Sequence, residues 1–421
     1  MSKAWIEDTW KTAAGANTAV QGSGNRWRAY WYESSPTASR AQFRRRARKF
    51  RTKIDAERFL AEVAHQQRTK AYLPPERGET TFADAAQEWL GSSHHLKEST
   101  RYRYTRELRA YVLPKWGHRQ VGTLTRREIQ AWISELVDGT APARYESRAN
   151  GLSSPNSPGI MRMPLGANSI KHLVHIVSAV LNWCVDSEIL SSNPASRLRV
   201  PRPSVAEHIY LNFDEVDALA QSALDVTGSE TDSTLIYLLA YTGLRINEAL
   251  ALRVGALDFV RGRIQVRQTW TTGADGKPQL GTPKSGKARS VGAPSFVWKM
   301  LPDLIAGREA SAFVFQAPRG GPMSDHNWRT RVFNIARDLE GLEPALTPHK
   351  LRHTAASMAI AAGADVKLVQ QMLGHADATE TLNTYSHLWP DRIDEISSKL
   401  DVARRKANES RIATEISLTA S

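Results

Sequence analysis

Five short segments in the second half of the chain combine basic, hydroxyl and imidazole side chains with turn-forming residues. The clearest is TPHKLRH at 347–353, where Thr347 can cap a helix and Pro348 suits its first position. His349 and Arg352, three residues apart, would project from one face near the helix N-terminus, where free N–H groups and the helix dipole favour anions. The segment therefore predicts a phosphate site. The alternative, a helix start with basic side chains on its surface, stays open for this segment alone.

A tight glycine turn at 240–248 (AYTGLRINE) presents Arg245 between two apolar helical segments. An arginine buried at such a turn needs an anion or a hydrogen-bond acceptor. Glu248, three residues further on, is the expected internal partner and would orient the guanidinium.

Three more segments place a basic or phenolic side chain beside a turn. Lys284 and Lys287 lie in TPKSGK at 282–287, which we predict to be a hairpin turn from which a lysine can reach across a groove. His375 follows a Leu-Gly helix stop, and Tyr385 lies in the segment TYSH further along the chain.

In this order the five segments resemble the tyrosine recombinase family, also called the phage integrase family. The motifs that carry the resemblance are TGLRINEAL, TPKSGKARSV, HKLRHTAA, LGHA and NTYSHL. Each motif is weak by itself, but five of them in the right order and at plausible spacing are highly specific. The resemblance to the catalytic domain covers roughly residues 207–395.

The resemblance implies a role for several basic side chains at a scissile DNA phosphate. Arg245 and Arg352 would clamp the phosphate, and His375 would donate a hydrogen bond to one of its oxygens. Lys284 would be the general acid for the leaving 5′ oxygen, with Lys287 of the same turn as the alternative.

The resemblance also makes Tyr385 the nucleophile and His349 the acceptor of its phenolic proton. A free tyrosine has a pKa of about 10 and is a poor nucleophile at neutral pH. In the pentacoordinate transition state, negative charge grows on the equatorial phosphate oxygens. Two planar, permanently charged guanidiniums match those oxygens.

The sequence shows no Asp/Glu/His cluster with metal-ligand spacing and no Walker-type phosphate loop. We therefore expect no cofactor, neither a metal ion nor a nucleotide, because electrostatic positioning by the two arginines can replace a metal. A phosphotyrosine bond keeps the energy of the phosphodiester, so rejoining should need no ATP.

The expected fold is multidomain and mainly α. We predict a small α+β DNA-binding domain at 1–72, an all-α core-binding domain at 79–200, a mixed α+β catalytic domain at 207–400 and a C-terminal tail at 401–421. The first resembles the arm-binding domain of lambda-like integrases in architecture rather than by motif. The second resembles the core-binding domain of the family.

The N-terminal module is strongly basic. Its first 78 residues hold 16 Lys and Arg against 7 Asp and Glu, in a chain with a net charge of +13. Alternation of aromatic with basic or small residues predicts a strand at 26–32, and the strongly basic segment at 42–50 is predicted to be a second strand. Apolar residues at helical spacing predict a helix at 52–66. Such a module suggests a polyanionic partner. The alternative is a solvated basic face that keeps the protein soluble.

Local signals predict further elements. They are a helix at 100–113 ended by Pro114, a helix at 169–190 capped by Asn168 and carrying a buried Cys184, a helix at 246–252, and strands at 264–271 and 289–292. The Gly-, Pro- and Ser-rich stretch at 139–167 predicts a long flexible insertion.

The longest apolar stretches are too short for a membrane span, no apolar signal segment opens the chain, and one cysteine gives no internal disulfide. We expect a cytoplasmic protein, bound to DNA of the nucleoid and without membrane contact. The resemblance implies double-stranded DNA attachment sites and a homotetramer on DNA. Further expected partners are an excisionase and a host DNA-bending protein.

The favoured function is integration or excision of a phage or another mobile element through a 3′-phosphotyrosine intermediate and a Holliday junction. The basic N-terminal module favours an integrase over a Xer-like resolvase, because the resolvases resemble this chain only in its core-binding and catalytic domains. A non-catalytic DNA-binding protein of the same fold is disfavoured by the complete residue set. A type IB topoisomerase is disfavoured by the small N-terminal module and the short spacing from LGH to Tyr385.

Overall fold

The computed structural model describes residues 4–34, 43–68, 78–143, 146–147, 151–152, 164–203, 209–284, 286–389 and 397–409. The chain divides into two compact units, Met1–Val205 and Ala206–Ser421. Helices dominate, and the sheets are small and antiparallel, which confirms the predicted mainly α fold class. The finer domain boundaries given above stay predictions.

The first unit begins with a three-stranded antiparallel sheet followed by a helix. These elements are β1 (Trp5–Asp8), β2 (Trp27–Ser34), β3 (Phe43–Phe50) and α1 (Lys53–Arg68). Ala29 and Trp31 of β2 are buried, and Trp31 contacts Phe59 of α1 edge-on, with 5.1 Å between ring centroids. The two predicted strands and the predicted helix are confirmed. The strand β1 escaped prediction because its four residues are too few to show alternation.

A helical region with its own apolar core follows in the first unit. Its helices are α2 (Phe82–Ser92), α3 (Glu98–Glu107), α4 (Leu113–Trp116), α5 (Arg126–Val137) and α6 (Ala167–Asp186). Trp116 and Trp132 meet edge-on in this core, with 6.0 Å between ring centroids. Cys184 of α6 is fully buried there, as predicted for a small hydrophobic side chain.

Two predicted helix boundaries in this region are wrong. Pro114 does not end the helix; it lies in the first turn of α4, after a turn of π-helix at Leu108–Val112. Because proline has no N–H to donate, the local change in hydrogen-bond register lets the helical path continue through it. Asn168 is not a cap, since α6 begins at Ala167 directly after Gly166.

The stretch at 139–167 is described only in part. Two short strands, β4 (Glu146–Ser147) and β5 (Gly151–Leu152), pair antiparallel. The remaining positions between 143 and 164 lie outside the described residues. The flexible insertion therefore stays a prediction.

The second unit surrounds a larger core with helices and two small sheets. Its helices are α7 (Phe213–Thr227), α8 (Glu230–Thr242), α9 (Ile246–Ala249), α10 (Ser295–Ile305), α11 (Asp325–Trp328), α12 (Asn334–Leu339), α13 (Pro348–Ala361), α14 (Val366–Leu373) and α15 (Ala378–Tyr385). Its strands are β6 (Leu257–Asp258), β7 (Arg263–Val266), β8 (Thr269–Thr272), β9 (Pro278–Gly281) and β10 (Arg289–Gly292). Among the described residues, no helix is long and apolar enough to cross a membrane.

The predicted strand at 264–271 is two strands that belong to different sheets. One sheet has the order β10-β7-β6, and the other is the β8-β9 hairpin. Strand β7 buries alternate residues, whereas every residue of β8 is half-buried, so the two parts of the apolar run cover different surfaces. The segment 282–287 is therefore not a hairpin turn: it connects β9 of one sheet to β10 of the other. The helix predicted at 246–252 is shorter, because α9 ends at Ala249.

A close contact at Gly243 joins three of the helices. Gly243 ends α8 in the left-handed conformation, with a φ of 66°. A Cβ at this position would lie 2.7 Å from Cδ2 of Leu373 at the end of α14 and 3.5 Å from Cβ of Ala355 on α13. Only glycine lets these helix ends approach so closely.

Gly243→Ala should destabilise the second unit more than Gly228→Ala does. Gly228 ends α7 with the same φ of 66°, but no atom lies within 4 Å of the position its Cβ would take. Its replacement should cost only the left-handed strain, about 1–2 kcal/mol. The contact with Leu373 should add ~1–3 kcal/mol for Gly243→Ala. Urea unfolding of both variants measures the difference, and equal losses would show that Leu373 moves aside freely.

Candidate active site

Arg352 is buried between the ends of two helices. It lies on α13 and is 3% exposed. Its Nη1 donates to the carbonyl oxygen of Gly243 and its Nη2 to that of Leu373, both at 2.6 Å. These carbonyls lie at the C-terminal ends of α8 and α14, where the helix dipole favours a positive charge. Burial, together with the charge of Arg245, lowers the pKa of Arg352 to about 9, which leaves it charged at neutral pH.

Glu248 is a fully buried carboxylate that binds two guanidiniums. Its Oε1 accepts from Nη1 of Arg245 at 3.0 Å, which confirms the predicted internal pair. Arg289 of β10 donates from Nη1 to Oε1 at 2.9 Å and from Nη2 to Oε2 at 2.6 Å. Burial alone would raise the pKa of Glu248, but the hydrogen bonds and charge of Arg289, with those of Arg245, lower it to about 2.

Arg289 was not predicted to have a role, although it lies within the motif TPKSGKARSV. Besides Glu248, it donates from Nε to the carbonyl oxygen of Met372 at 3.3 Å. It also packs against Gly374, where a Cβ would lie 2.6 Å from Cδ of Arg289. A buried arginine on a strand requires an acceptor, but the sequence does not show that this acceptor is Glu248.

His375 follows Gly374, which ends α14 with a φ of 69°. Its Nδ1 lies 2.8 Å from Oγ1 of Thr381, and its Nε2 lies 3.7 Å from Oε1 of Glu380. Burial and the positive charge of Arg352 lower the pKa of His375 to about 4. The imidazole is therefore neutral at physiological pH, with one N–H to donate.

His349 occupies the first turn of α13, as predicted, with Pro348 at the first helical position. Thr347 precedes the helix, but its side chain makes no capping hydrogen bond. Burial lowers the pKa of His349, and the charges of Arg352, Arg245, Lys350 and Lys284 lower it further.

The two candidate lysines lie on different parts of the same connection. Lys284 is exposed, and its charge acts on His349. Lys287 lines a cavity of about 500 Å³, together with Arg289 and His375. Each lysine therefore lies near predicted site residues, and both remain candidates for the general acid.

Tyr385 is the last residue of α15 and is 1% exposed. It packs in a small cluster with Ile360, Val369 and Leu373. Burial raises the pKa of its phenol well above the ordinary value, and the charge of Arg352 only partly opposes this. The phenol oxygen lies 2.7 Å from Nδ1 of His353, a residue that the sequence did not single out.

The structure thus gathers most of the predicted residues at the ends of a few helices of the second unit. Arg245, His349, Arg352, His375 and Tyr385 are linked by contacts or by their effects on one another's pKa, and Lys284 acts on this group through His349. The individual roles implied by the resemblance stay proposals.

Comparison with known proteins identifies the family of the chain. Residues 210–392 match the phage integrase family, and residues 81–137 match the N-terminal SAM-like domain of phage integrases. Tyrosine recombinase XerC of Xylella fastidiosa strain 9a5c is 30% identical over 285 residues, which cover 67% of this chain and 88% of the relative. The chain belongs to the tyrosine recombinase family. Members of this family are site-specific DNA recombinases, and this is the enzyme class of the chain.

Further relatives and solved structures of tyrosine recombinases resemble the chain. XerD of Listeria monocytogenes serotype 4b is 26% identical over 263 residues, which cover 60% of this chain and 86% of the relative. The Tn1549 transposon integrase, solved with a circular intermediate DNA, has a TM-score of 0.60 at 18% identity and covers 76% of this chain and 99% of its own. A lambda integrase dimer bound to a core site has a TM-score of 0.53 at 16% identity, and the match covers 86% of this chain and 93% of the lambda integrase chain. These two structures share the fold.

Glu248→Gln should lower the free energy of unfolding of the second unit and make that free energy less dependent on pH. The folded-state pKa of about 2 lies below the ordinary value of 4.5. The contribution of the carboxylate is therefore complete above about pH 4.5 and is lost as the pH falls toward 2. Glutamine keeps the shape but leaves Arg289 without its counter-charge, which should cost about 3–5 kcal/mol at neutral pH.

Urea unfolding at neutral pH and at several acidic values measures this loss. The difference between wild type and Glu248→Gln should shrink on acidification. The control is Glu215→Gln, because Glu215 accepts a backbone N–H of Asn212 at the start of α7 but binds no arginine in the described residues. It should cost about 1 kcal/mol. Similar losses in the two variants would contradict a special role for Glu248.

Proposed function

We propose that the chain is an integrase that cuts and rejoins DNA through a 3′-phosphotyrosine intermediate, and that it integrates or excises a phage or another mobile element. The observation that carries the proposal is the proximity of the Tyr385 phenol to the buried Arg352, whose pKa is affected by the charges of both Tyr385 and Arg245. Double-stranded DNA attachment sites are the proposed substrates. Cleavage is proposed to need no cofactor.

In the cleavage step, the phenol oxygen of Tyr385 attacks the scissile phosphorus. The bond from phosphorus to the 5′ oxygen breaks, and the leaving oxygen takes a proton from Lys284 or Lys287. Arg245 and Arg352 stabilise the charge that grows on the non-bridging oxygens, and neutral His375 donates a hydrogen bond to one of them. The phenolic proton passes to an imidazole of α13, which carries His349 and His353.

Rejoining reverses these steps with the 5′ hydroxyl of a second DNA strand. The phosphotyrosine preserves the bond energy, so no nucleotide is consumed. Two successive strand exchanges pass through a Holliday junction and require four active sites, which supports a homotetramer on DNA. Lambda integrase has been solved as a tetramer bound to a Holliday junction, and it has a TM-score of 0.53 with this chain.

The N-terminal sheet is the proposed arm-type DNA-binding module, and it favours an integrase over a Xer-like resolvase. On the face of β2 opposite the buried Ala29 and Trp31, Arg28 pairs with Lys49 and Tyr32 pairs with Arg45 across to β3. This face offers cations for phosphates and aromatic edges for bases. We also propose an excisionase and a host DNA-bending protein as partners, and the nucleoid as the site of action.

Tyr385→Phe should abolish the covalent protein–DNA adduct and leave DNA binding nearly unchanged, because the ring keeps its packing and only the nucleophilic oxygen is lost. A nicked core-site suicide substrate traps the adduct for counting on a denaturing gel. The control is Tyr210→Phe, which removes a phenol 3.3 Å from His387 in the same unit and should keep the adduct. An undiminished adduct in Tyr385→Phe would refute the assignment of the nucleophile.

The outer face of the N-terminal sheet should be needed for integration but not for cleavage. Arg45→Ala combined with Lys49→Ala should leave cleavage of a short core site intact and reduce integration between full attachment sites by about tenfold or more. The control, Arg51→Ala with Arg58→Ala, removes two exposed charges outside the strands of the same module. Equal defects in both double variants, each restored at low salt, would instead indicate a non-specific basic surface.

A further inference from the structure

Helix α13 carries two imidazoles on one side, and only one of them is seen to contact the nucleophile. His349 and His353 are four residues apart, and their rings meet edge-on with 5.4 Å between centroids. Nδ1 of His353 lies 2.7 Å from the phenol oxygen of Tyr385. His353 therefore stands in hydrogen-bond contact with the oxygen that would attack.

The phenol requires a partner that removes its proton. Tyr385 is almost fully buried, and burial keeps its phenol in the neutral form at physiological pH. The attack must therefore be accompanied by proton transfer to a group within hydrogen-bond reach. His353 satisfies this geometric requirement without any rearrangement.

The electrostatic surroundings of His349 make it a poor proton acceptor. Burial disfavours a positive charge on its ring, and the positive charges of Arg352, Arg245, Lys350 and Lys284 disfavour it further. Neutral His349 is better suited to donate a hydrogen bond toward the phosphate.

We propose that His353, rather than His349, accepts the proton of Tyr385 during strand cleavage and returns it during rejoining. The proposal rests on the proposed function. As the bond from the phenol oxygen to phosphorus forms, the phenolic proton moves to Nδ1 of His353, whose other nitrogen already bears hydrogen. The bond to the 5′ oxygen breaks with its electron pair, and that oxygen takes a proton from the general-acid lysine. In the reverse direction, protonated His353 returns its proton to the leaving phenolate.

The test uses the full-length chain and measures single-turnover adduct formation on the core-site suicide substrate. His353→Ala should slow adduct formation about 10²- to 10⁴-fold. His353→Asn should be nearly as slow, because its amide oxygen can accept the phenolic hydrogen bond but cannot take the proton. A wild-type rate in His353→Asn would show that His353 only positions the ring, and would overturn the proposal.

A second measurement replaces Tyr385 with a fluorinated tyrosine, whose phenol is more acidic and depends less on a base. With the fluorinated tyrosine, His353→Ala and His353→Asn should each form the adduct about tenfold or more faster than the same variant with ordinary tyrosine. The replacement should restore nothing in whichever of Lys284→Ala and Lys287→Ala impairs the departure of the 5′ oxygen. Rescue of His349→Ala in place of the His353 variants would assign the proton to His349 and overturn the proposal.

Failure of this proposal is distinct from failure of the proposed function. If wild type forms the adduct and His353→Ala forms it at the same rate, His353 is not the acceptor, although the recombinase assignment stands. If wild type forms no adduct on any attachment site, the proposed function itself fails. Thermal melting and core-site binding of each variant identify a folding defect. If His353→Ala is misfolded, the rate of adduct formation by His353→Asn, whose amide oxygen lies close to the position of Nδ1, tests the proposal.

Discussion

The active-site architecture depends on one buried carboxylate. Glu248 binds Arg245 at the start of α9 and Arg289 of β10, so it links this helix to the sheet that contains β10. Buried guanidiniums without counter-charge would be costly, and a bidentate carboxylate offsets part of that cost while fixing their orientation. Arg289 then extends the network to the carbonyl of Met372, near the end of α14.

A second constraint comes from glycines at helix ends. Gly243 and Gly374 both adopt positive φ, and each is packed so closely that a side chain would clash, with Leu373 in one case and with Arg289 in the other. The carbonyls at these ends receive the Arg352 guanidinium. The same turns that let the helices approach therefore also create the acceptors for the buried charge, which couples the packing of the helices to the position of Arg352.

The sequence predicted what is local, and it missed what tertiary packing decides. The helix that carries His349 and Arg352, and the pairing of Arg245 with Glu248 three residues away, follow from short spacing and were predicted. The contact of Arg289 with Glu248 spans 41 residues and that of His353 with Tyr385 spans 32, so no local periodicity shows them.

The errors in secondary structure have the same origin. Pro114 is accommodated by a π-helical turn that the sequence does not indicate. The stretch at 264–271 was predicted to be one strand because both halves contain strand-forming residues. In the structure, the first half (β7) pairs with β6 and β10, and the second half (β8) pairs with β9. Local strand preference is compatible with a single strand, but pairing with other parts of the chain divides the stretch into β7 and β8.

The charges of the network suit a phosphoryl transition state better than a ground state. Arg245, Arg289 and Arg352 with Glu248 leave an excess of two positive charges among these four groups. In the proposed cleavage step, a phosphodiester brings one negative charge, and the phenol oxygen, once its proton has left, brings a second. The charge of these four groups is therefore not balanced until the pentacoordinate state forms, and such differential stabilisation accelerates a reaction. Burial, together with the positive charges of the arginines, lowers the pKa of His349 and of His375. The proposed proton acceptor, His353, is in hydrogen-bond contact with the tyrosine oxygen.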